Sequence, residues 1–495
     1  MSKSIRHASH RAEGIPRASA WLSSRYGALL LFAALLIYSG SDVWQNISWP
    51  PFYSFDETLE VDYVYQLTQG HLPTFFGGAE FNPLNLQYPY DVQWRYQHPP
   101  LFYLLEMPVF LAFDTVHHPI RGIWAMRGLV WVLGVVLIVA SRWAAKQVLG
   151  REGLAVALVP VVVAANRCLP SVVFNYTLAS LWVTLLIGMT AFLVRRVFSG
   201  DAITPGSMLW WLGIVALAPL TRLSTVPIMA LCILVVLLAV CIQKRNRVRN
   251  ALALCVIPSV LAVASSAWFY IRLYRLSGNF TGSQPQWSEA HLHRDIHKSL
   301  WDALLDLGFY KSALSQYQNS VVTYTNVGWA CVVLLTIAPL IVGLLVLFGH
   351  ATSSLLRAKR NGFTDLLIAA MLLCALCGTV LQQLMYYAQG GSGNAVYFSL
   401  ISIVFAISIC SGLAGFRNRL LTSVLASLWM MVKIAAFLYE VHLKWPFAEN
   451  GTMVDSGMLA QAVTYGAVAV VIVGVMMVIA LICLYGRSMP FSDRG

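Results

Sequence analysis

Apolar runs close to twenty residues long recur from one end of this 495-residue chain to the other, separated by polar connections. A helix rises about 1.5 Å per residue, so each such run crosses the roughly 30 Å hydrocarbon layer of a bilayer once. Lipid offers no partner to an exposed peptide group, which makes the helix the spanning element for runs of this length. Hydrophobic residues make up 58% of the chain and charged residues 11%, and together with the runs this makes it an all-α polytopic membrane protein.

About twelve spans fit, some of them short. They lie near Tyr26–Ser39, Met126–Ala144, Gly153–Ala165, Tyr176–Leu193, Met208–Leu220 and Ser224–Ile242, then Ala251–Ile271, Val322–Phe348, Leu366–Tyr386, Val396–Leu413, Leu420–Tyr439 and Ala460–Leu484. Basic residues set the orientation, because short cytoplasmic connections are enriched in Lys and Arg. Lys3, Arg6, Arg11, Arg17 and Arg25 precede the first span, and every second connection then carries Arg142 and Lys146, Arg195 and Arg196, Lys244 to Arg249, Arg357 to Arg360, or Arg417 and Arg419. Both termini are therefore expected in the cytoplasm, and the net charge of +12 is a topological signal. A nucleic-acid footprint would gather its charge on one soluble face, so no nucleic-acid partner is expected.

The chain divides into a basic tail (1–25), a first span retained as an anchor (26–39), a first outer loop (40–121), spans within 122–271, a second large outer loop (272–320), spans within 321–485 and a short tail (486–495). Cysteines add little. Cys374 and Cys377 have redox-motif spacing but stand in an apolar helix without the surrounding strand pattern, so packing is the expected role; Cys168 falls in an outer turn, and no disulfide framework is supported.

The chemistry concentrates in the first outer loop. From Phe55 it reads FDETLEVDYVYQLTQGHLP, where Leu59, Tyr63, Val64 and Leu67 recur at helical spacing until Gly70 and Pro73 end the pattern. A short amphipathic helix lying along the membrane surface is expected. Asp56 and Glu57 stand at its start, where acids also stabilise a helix by capping it and facing the positive end of its dipole, so capping and catalysis both account for the pair. The loop then runs through Trp94, Arg95, Tyr96, Gln97 and His98 into PPLFYLLEMPVFLAF, an apolar stretch whose prolines argue against an ordinary span.

An acidic pair after the first span, a surface helix and a following His-Pro-Pro-Leu stretch resemble the GT-C superfamily of integral membrane glycosyltransferases, and most of all its bacterial protein mannosyltransferase and aminoarabinose transferase branch. The match runs from about Phe55 to Leu105. The resemblance implies a GT-C-like fold with surface-lying helices in the first outer loop, and a sugar donor carried on a polyprenyl phosphate. It assigns Asp56 the role of base that takes the proton of the acceptor hydroxyl, with inversion at the anomeric carbon. Glu57 would orient the acceptor or a cation, and His98 would contact the donor or the acids, with anchoring of the turn beside Pro99 and Pro100 as its alternative role.

Such a reaction also needs positive charge on the departing phosphate. Arg222, Arg272 and Arg275 lie at the outer boundary against the general charge bias, with snorkelling from helix ends as the alternative, and Arg95 is a fourth candidate because it lies three residues before His98. Some relatives carry a Gly-Arg-Tyr motif at a late outer loop; here QGGSGNAVYFS has no Arg, leaving Tyr397 as the substrate-binding candidate and Gly390, Gly391 and Gly393 as a mobile turn. His291, His293 and His297 match no zinc pattern, and the acidic pair is compatible on charge grounds with a divalent cation. The expected partners are the lipid-linked donor, a glycan, glycolipid or protein acceptor and membrane lipids, in a bacterial inner membrane with the site on the periplasmic or external face. A transporter or lipid-linked oligosaccharide flippase would share the many spans but place ionisable residues at mid-membrane, and a noncatalytic assembly subunit would tolerate loss of Asp56.

Overall fold

The computed structural model describes residues 14–48, 51–52, 57–84, 91–166, 172–243, 247–315, 330, 333–357, 362–416, 418–449 and 457–488. Among them the ordered elements are helices, and ten are long and apolar enough to cross a membrane. The first eight α-helices are α1 (Gly14–Ser48), α2 (Glu57–Thr68), α3 (Leu101–Ala112), α4 (Pro119–Leu149), α5 (Leu154–Ala165), α6 (Tyr176–Ser199), α7 (Pro205–Leu217) and α8 (Thr225–Gln243). The later spans are Arg247–Ser277, Val333–Leu356, Gly362–Ala388, Ala395–Ala414, Arg419–His442 and Gln461–Leu484.

Each expected span meets a helix, but α5 and α7 are too short to cross by themselves. Twelve residues in α5 rise only about 18 Å against roughly 30 Å of hydrocarbon. Asn166 follows α5, and the segment from Val172 to Asn175 leads into α6 with Val172 and Val173 fully buried. Cys168 falls outside the described residues. In α7 the prolonging element is a single 3-10 turn over Ala218–Leu220.

The first span is longer than its apolar run, continuing to Ser48 rather than ending at Ser39. Its polar last turns face protein. Asp42 and Asn46 are buried, Asn46 Nδ2 donates to Asp42 Oδ2 at 2.9 Å, and Arg127 Nη1 of α4 donates to the Asn46 carbonyl at 3.4 Å. The first and last spans pack along each other, as do α4 with α6 and α1 with α5. Where Val333–Leu356 crosses Ala395–Ala414, a Cβ on Gly412 would stand 2.2 Å from the Pro339 carbonyl, so this close backbone approach depends on glycine.

Charged side chains sort the helix ends. Arg195 of α6 donates to the carbonyls of Gln147 and Val148 at the end of α4, both at 2.7 Å, and pairs with Asp365 at the start of Gly362–Ala388 at 3.1 Å. Arg222 joins His98 and Asn175 at the opposite end. The two arginines thus fall on opposite ends, as the alternation of basic connections requires.

Candidate functional site

The site lies at the end of the bundle that holds Arg222. Its base is α2, which does not lie on a surface as its spacing suggested. Glu57, Leu59, Glu60, Val61, Asp62, Tyr63, Val64 and Gln66 are all buried. A helix with three acids can be buried on every face because each acid is satisfied by a separate set of donors. The apolar-out helix of this loop is α3, which exposes Leu104, Leu105 and Leu111 and turns Phe102, Tyr103, Glu106 and Phe110 inward.

Asp62 anchors the loop behind the site. Its Oδ1 accepts the peptide N–H groups of Glu80 and Phe81, both at 2.7 Å, while Oδ2 accepts from Gln66 at 2.9 Å and from Gln93. Burial pushes this carboxyl up to about 6 despite those donors. Gln93 also accepts the Arg95 N–H at 2.9 Å, capping the 3-10 turn Trp94–Gln97 that presents Arg95 and His98. Tyr63 of α2 donates to the His98 carbonyl at 2.9 Å and stacks on Tyr103 at 3.7 Å between ring centres. At the other side of the turn, Tyr96 donates to the Gly282 carbonyl, tying in the second outer loop. Gly282 has φ +70°, and a Cβ there would stand 2.9 Å from Gln97 Cβ, so both backbone and contact demand glycine.

Three of the residues expected to bind substrate converge. His98 Nε2 faces Arg95 Nη1 at 3.4 Å and Arg222 Nη1 at 3.3 Å. A nitrogen between two guanidiniums accepts, so the imidazole is neutral and protonated on Nδ1. Burial and the charges of Arg222 and Arg95 hold its pKa well below the ordinary histidine range. Arg95 pairs through Nε with Glu60 Oε1 at 3.1 Å, and Glu60 Oε2 accepts from the Tyr103 hydroxyl at 2.7 Å. Arg222 donates to Asn175 Oδ1 at 2.6 Å and to the Tyr176 hydroxyl at 2.7 Å, its guanidinium 3.7 Å from the Tyr176 ring centre. Tyr397 stands beyond, with ring centres 6.0 Å from Tyr176 and 5.4 Å from Tyr386. Arg222 is only 9% exposed, and its partners among the described residues are all neutral.

The remaining candidates are placed elsewhere. Arg272 donates to the Leu72 and Pro73 carbonyls at 3.2 and 2.7 Å, clamping the end of the first loop, and Arg275 is exposed on the last turn of its helix. Asp56 lies outside the described residues, immediately before α2. Glu57 is fully engaged with protein: Oε1 accepts from Arg127 Nε at 2.8 Å and the Val173 N–H at 2.9 Å, and Oε2 from Arg127 Nη2 at 2.6 Å and the Phe52 N–H at 3.1 Å. That set fixes the start of α2 to α4 and to the segment before α6. Glu106 of α3 is fully buried, and neither carboxyl oxygen has a hydrogen-bond partner among the described residues. Burial and the Glu57 charge raise its pKa well above the usual carboxyl range, so it is neutral.

Sequence reasoning missed Arg127, Glu60, Asn175 and Tyr176. Arg127 had a signal, since a charge inside an apolar span is costly and reserved for a purpose. Glu60 had a weaker one, one helical turn after Glu57, and Asn175 and Tyr176 had none. The turn Gly390–Gly393 is pinned where mobility was expected: a Cβ on Gly390 (φ +81°) would stand 2.8 Å from Ile296, and one on Gly393 3.1 Å from Phe309. Among the described residues no three of His, Cys, Asp and Glu gather as metal ligands, and His291 stacks on Trp287 at 4.4 Å. Cys374 and Cys377 are exposed on their span, outside the packed core where their expected role would place them.

No protein-family model and no curated protein matches the sequence. Among solved structures, the chain is similar to ArnT from Cupriavidus metallidurans bound to undecaprenyl phosphate, at 14% identity over 95% of this chain and 78% of that one, with a TM-score of 0.49. The same protein in its apo state aligns at 13% identity over the same shares, with a TM-score of 0.48. The oligosaccharyltransferase of Archaeoglobus fulgidus tethered to an acceptor peptide aligns at 12% identity, over 89% of this chain and 55% of that one, with a TM-score of 0.43. The chain spans about half the length of the archaeal enzyme.

Proposed function

We propose that this protein transfers a sugar from a polyprenyl-phosphate donor to a cell-envelope glycan, glycolipid or protein acceptor, on the outer face of a bacterial inner membrane. The observation that carries the reading is Arg222, a buried guanidinium whose described partners are His98, Asn175 and Tyr176, all uncharged. A buried charge without an opposite charge is unfavourable by several kcal/mol, roughly, which an arriving phosphate relieves. With Arg95 beside it and Glu60 as the carboxylate paired to Arg95, the locus favours an anion. A phosphate at a membrane interface with its tail among helices fits this place, and no nucleotide-binding loop is required.

Arg222 and Arg95 hold the phosphate and stabilise the charge that grows on it as the glycosidic bond breaks. Neutral His98 keeps the two guanidiniums at one locus. Asp56, the residue before Glu57, takes the proton from the acceptor hydroxyl as that oxygen attacks the anomeric carbon from the face opposite the phosphate, which inverts the centre. Glu57 supports this base by fixing the helix start. The test is sugar transfer from an undecaprenyl-phosphate donor by purified protein in nanodiscs, comparing wild type with Asp56→Asn. Loss of transfer with unchanged donor binding is expected; full activity in the folded variant would remove Asp56 from the mechanism.

A further inference from the structure

The second outer loop carries an apolar surface that the proposed reaction does not use. Within eight residues Leu300, Trp301, Leu304, Leu305 and Leu307 are 44%, 72%, 36%, 77% and 67% exposed. Ser299 caps the helix Leu300–Leu305 through a reciprocal bond with Asp302. Successive helical residues turn by about 100°, so Leu300, Leu304, Trp301 and Leu305 fill an arc of about 140°. Asp302 lies beyond one edge, and fully buried Ala303 marks the protein side.

What covers this arc follows from where it is fastened. Lys298 donates to the Tyr387 hydroxyl at 3.2 Å, and Tyr387 donates to Asp306 Oδ2 at 2.6 Å. Tyr387 belongs to the last turn of the span Gly362–Ala388, so the arc sits at the level where that helix leaves the membrane. The same span exposes Leu381 and Met385 in its final turns, and the helix Leu300–Leu305 packs against it. The apolar arc thereby lies beside the end of a span. Trp301 suits this level, since indole rings concentrate where acyl chains meet headgroups.

We infer that Leu300–Leu307 is an interfacial anchor whose Leu300, Trp301, Leu304, Leu305 and Leu307 side chains dip into the acyl chains of the outer leaflet. Its seat in lipid sets the height of the loop above the site. Phe309 packs on Gly393 and lies 5.2 Å from the Tyr387 ring, and Ser312 donates to the Gly393 carbonyl. Tyr386, beside Tyr387 on the same helix, meets Tyr397 of the 3-10 element Ala395–Ile401 at 5.4 Å between ring centres. The inference rests on the spans and this loop, and stands whether or not the protein transfers sugar.

The test places the photo-crosslinking residue p-benzoylphenylalanine at position 301 or 305 of the full chain in its native membrane, with irradiation followed by mass spectrometry of the adducts. Leu381, exposed on the span, is the lipid-facing reference, and Glu289, exposed on the helix Pro285–Leu292, is the aqueous one. Phospholipid adducts at 301 and 305 with yields near those at 381 and well above those at 289 are expected. Adducts to a second copy or to another protein, or yields no higher than at 289, would overturn the inference. Both positions are largely exposed, so replacement leaves folding intact, and either alone decides the outcome.

Discussion

Exchanging Glu57 for Gln separates a structural acid from one that acts on substrate. Among the described residues the wild-type carboxylate accepts four hydrogen bonds, two from Arg127, which is 1% exposed, and two from peptide N–H groups of Phe52 and Val173. Deleting the side chain breaks a buried pair at about 3–5 kcal/mol. Each stranded N–H adds about 1–3 kcal/mol. Those losses rival the whole stability of many proteins, about 5–15 kcal/mol, so Glu57→Ala is expected not to accumulate. Glutamine keeps the shape and one acceptor oxygen but turns an amide NH2 toward Arg127 and Phe52, where about 1.5–3 kcal/mol of charge-assisted bonding is lost. Thermal unfolding in nanodiscs should fall by several degrees, with transfer reduced in step with the folded fraction. The double variant Glu57→Gln with Arg127→Met should lose less than the sum of the single changes, because the two side chains act as one unit. An unshifted unfolding temperature with transfer abolished would refute this reasoning and give Glu57 a role on the acceptor.

Other changes report on the rest of the site. Arg222→Gln removes the guanidinium that has no carboxylate partner among the described residues, and at about 1.5–3 kcal/mol for a charge-assisted bond the donor KM should rise by about 10–100-fold, read from initial rates at varied donor. His98 is held neutral with a depressed pKa, so an unfolded chain binds the extra proton first. Its contribution to stability is present above about pH 6.5 and is lost as pH falls from there toward the folded pKa. A pH series of unfolding temperatures should show this acid limb in wild type and a flatter one in His98→Gln. Glu106 has the opposite sign, since its raised folded pKa makes its contribution fall as pH rises from the ordinary carboxyl range. Glu106→Met should be neutral or raise the unfolding temperature at pH 7, because it removes a buried carboxyl whose oxygens have no described partner.

The span pattern was legible because lipid imposes it: an apolar run of sufficient length, bounded by basic residues, has few alternatives to a crossing helix. The places where that reading slipped share one cause. α1 runs past its apolar stretch because Asp42 and Asn46 are buried against protein, and the short α5 leads toward a segment whose Val172 and Val173 are fully buried. Both need neighbours that hydropathy does not see. The convergence of Arg95, His98 and Arg222 was legible in part, since His98 stood out in its His-Pro-Pro-Leu stretch, Arg95 by lying three residues before it, and Arg222 by its helix end at the outer boundary. That Arg272 instead clamps the Leu72 and Pro73 carbonyls was not, because pairing with a carbonyl 200 residues away leaves no local trace.

The buried acids of α2 explain why spacing misjudged this helix. Periodicity scores Glu57, Glu60 and Asp62 as polar and therefore wet, yet each meets a matched donor set: Arg127 with two peptide groups, Arg95 with Tyr103, and two glutamines with two peptide groups. Burial of an acid is unfavourable only when donors are missing, and the donors here come from α2 itself, α3, α4 and the backbone segments before α2, between α2 and α3, and before α6. Glu57 and Glu60 each hold an arginine, but Arg95 reaches the site while Arg127 stays in the scaffold. Arg222 is the exception in the set, with hydrogen bonds to neutral groups and no carboxylate among the described residues. In a network where other buried charges are matched among the described residues, the unmatched one favours an anion, and that asymmetry, more than the acidic pair, is the ground for proposing that a donor phosphate binds at Arg222.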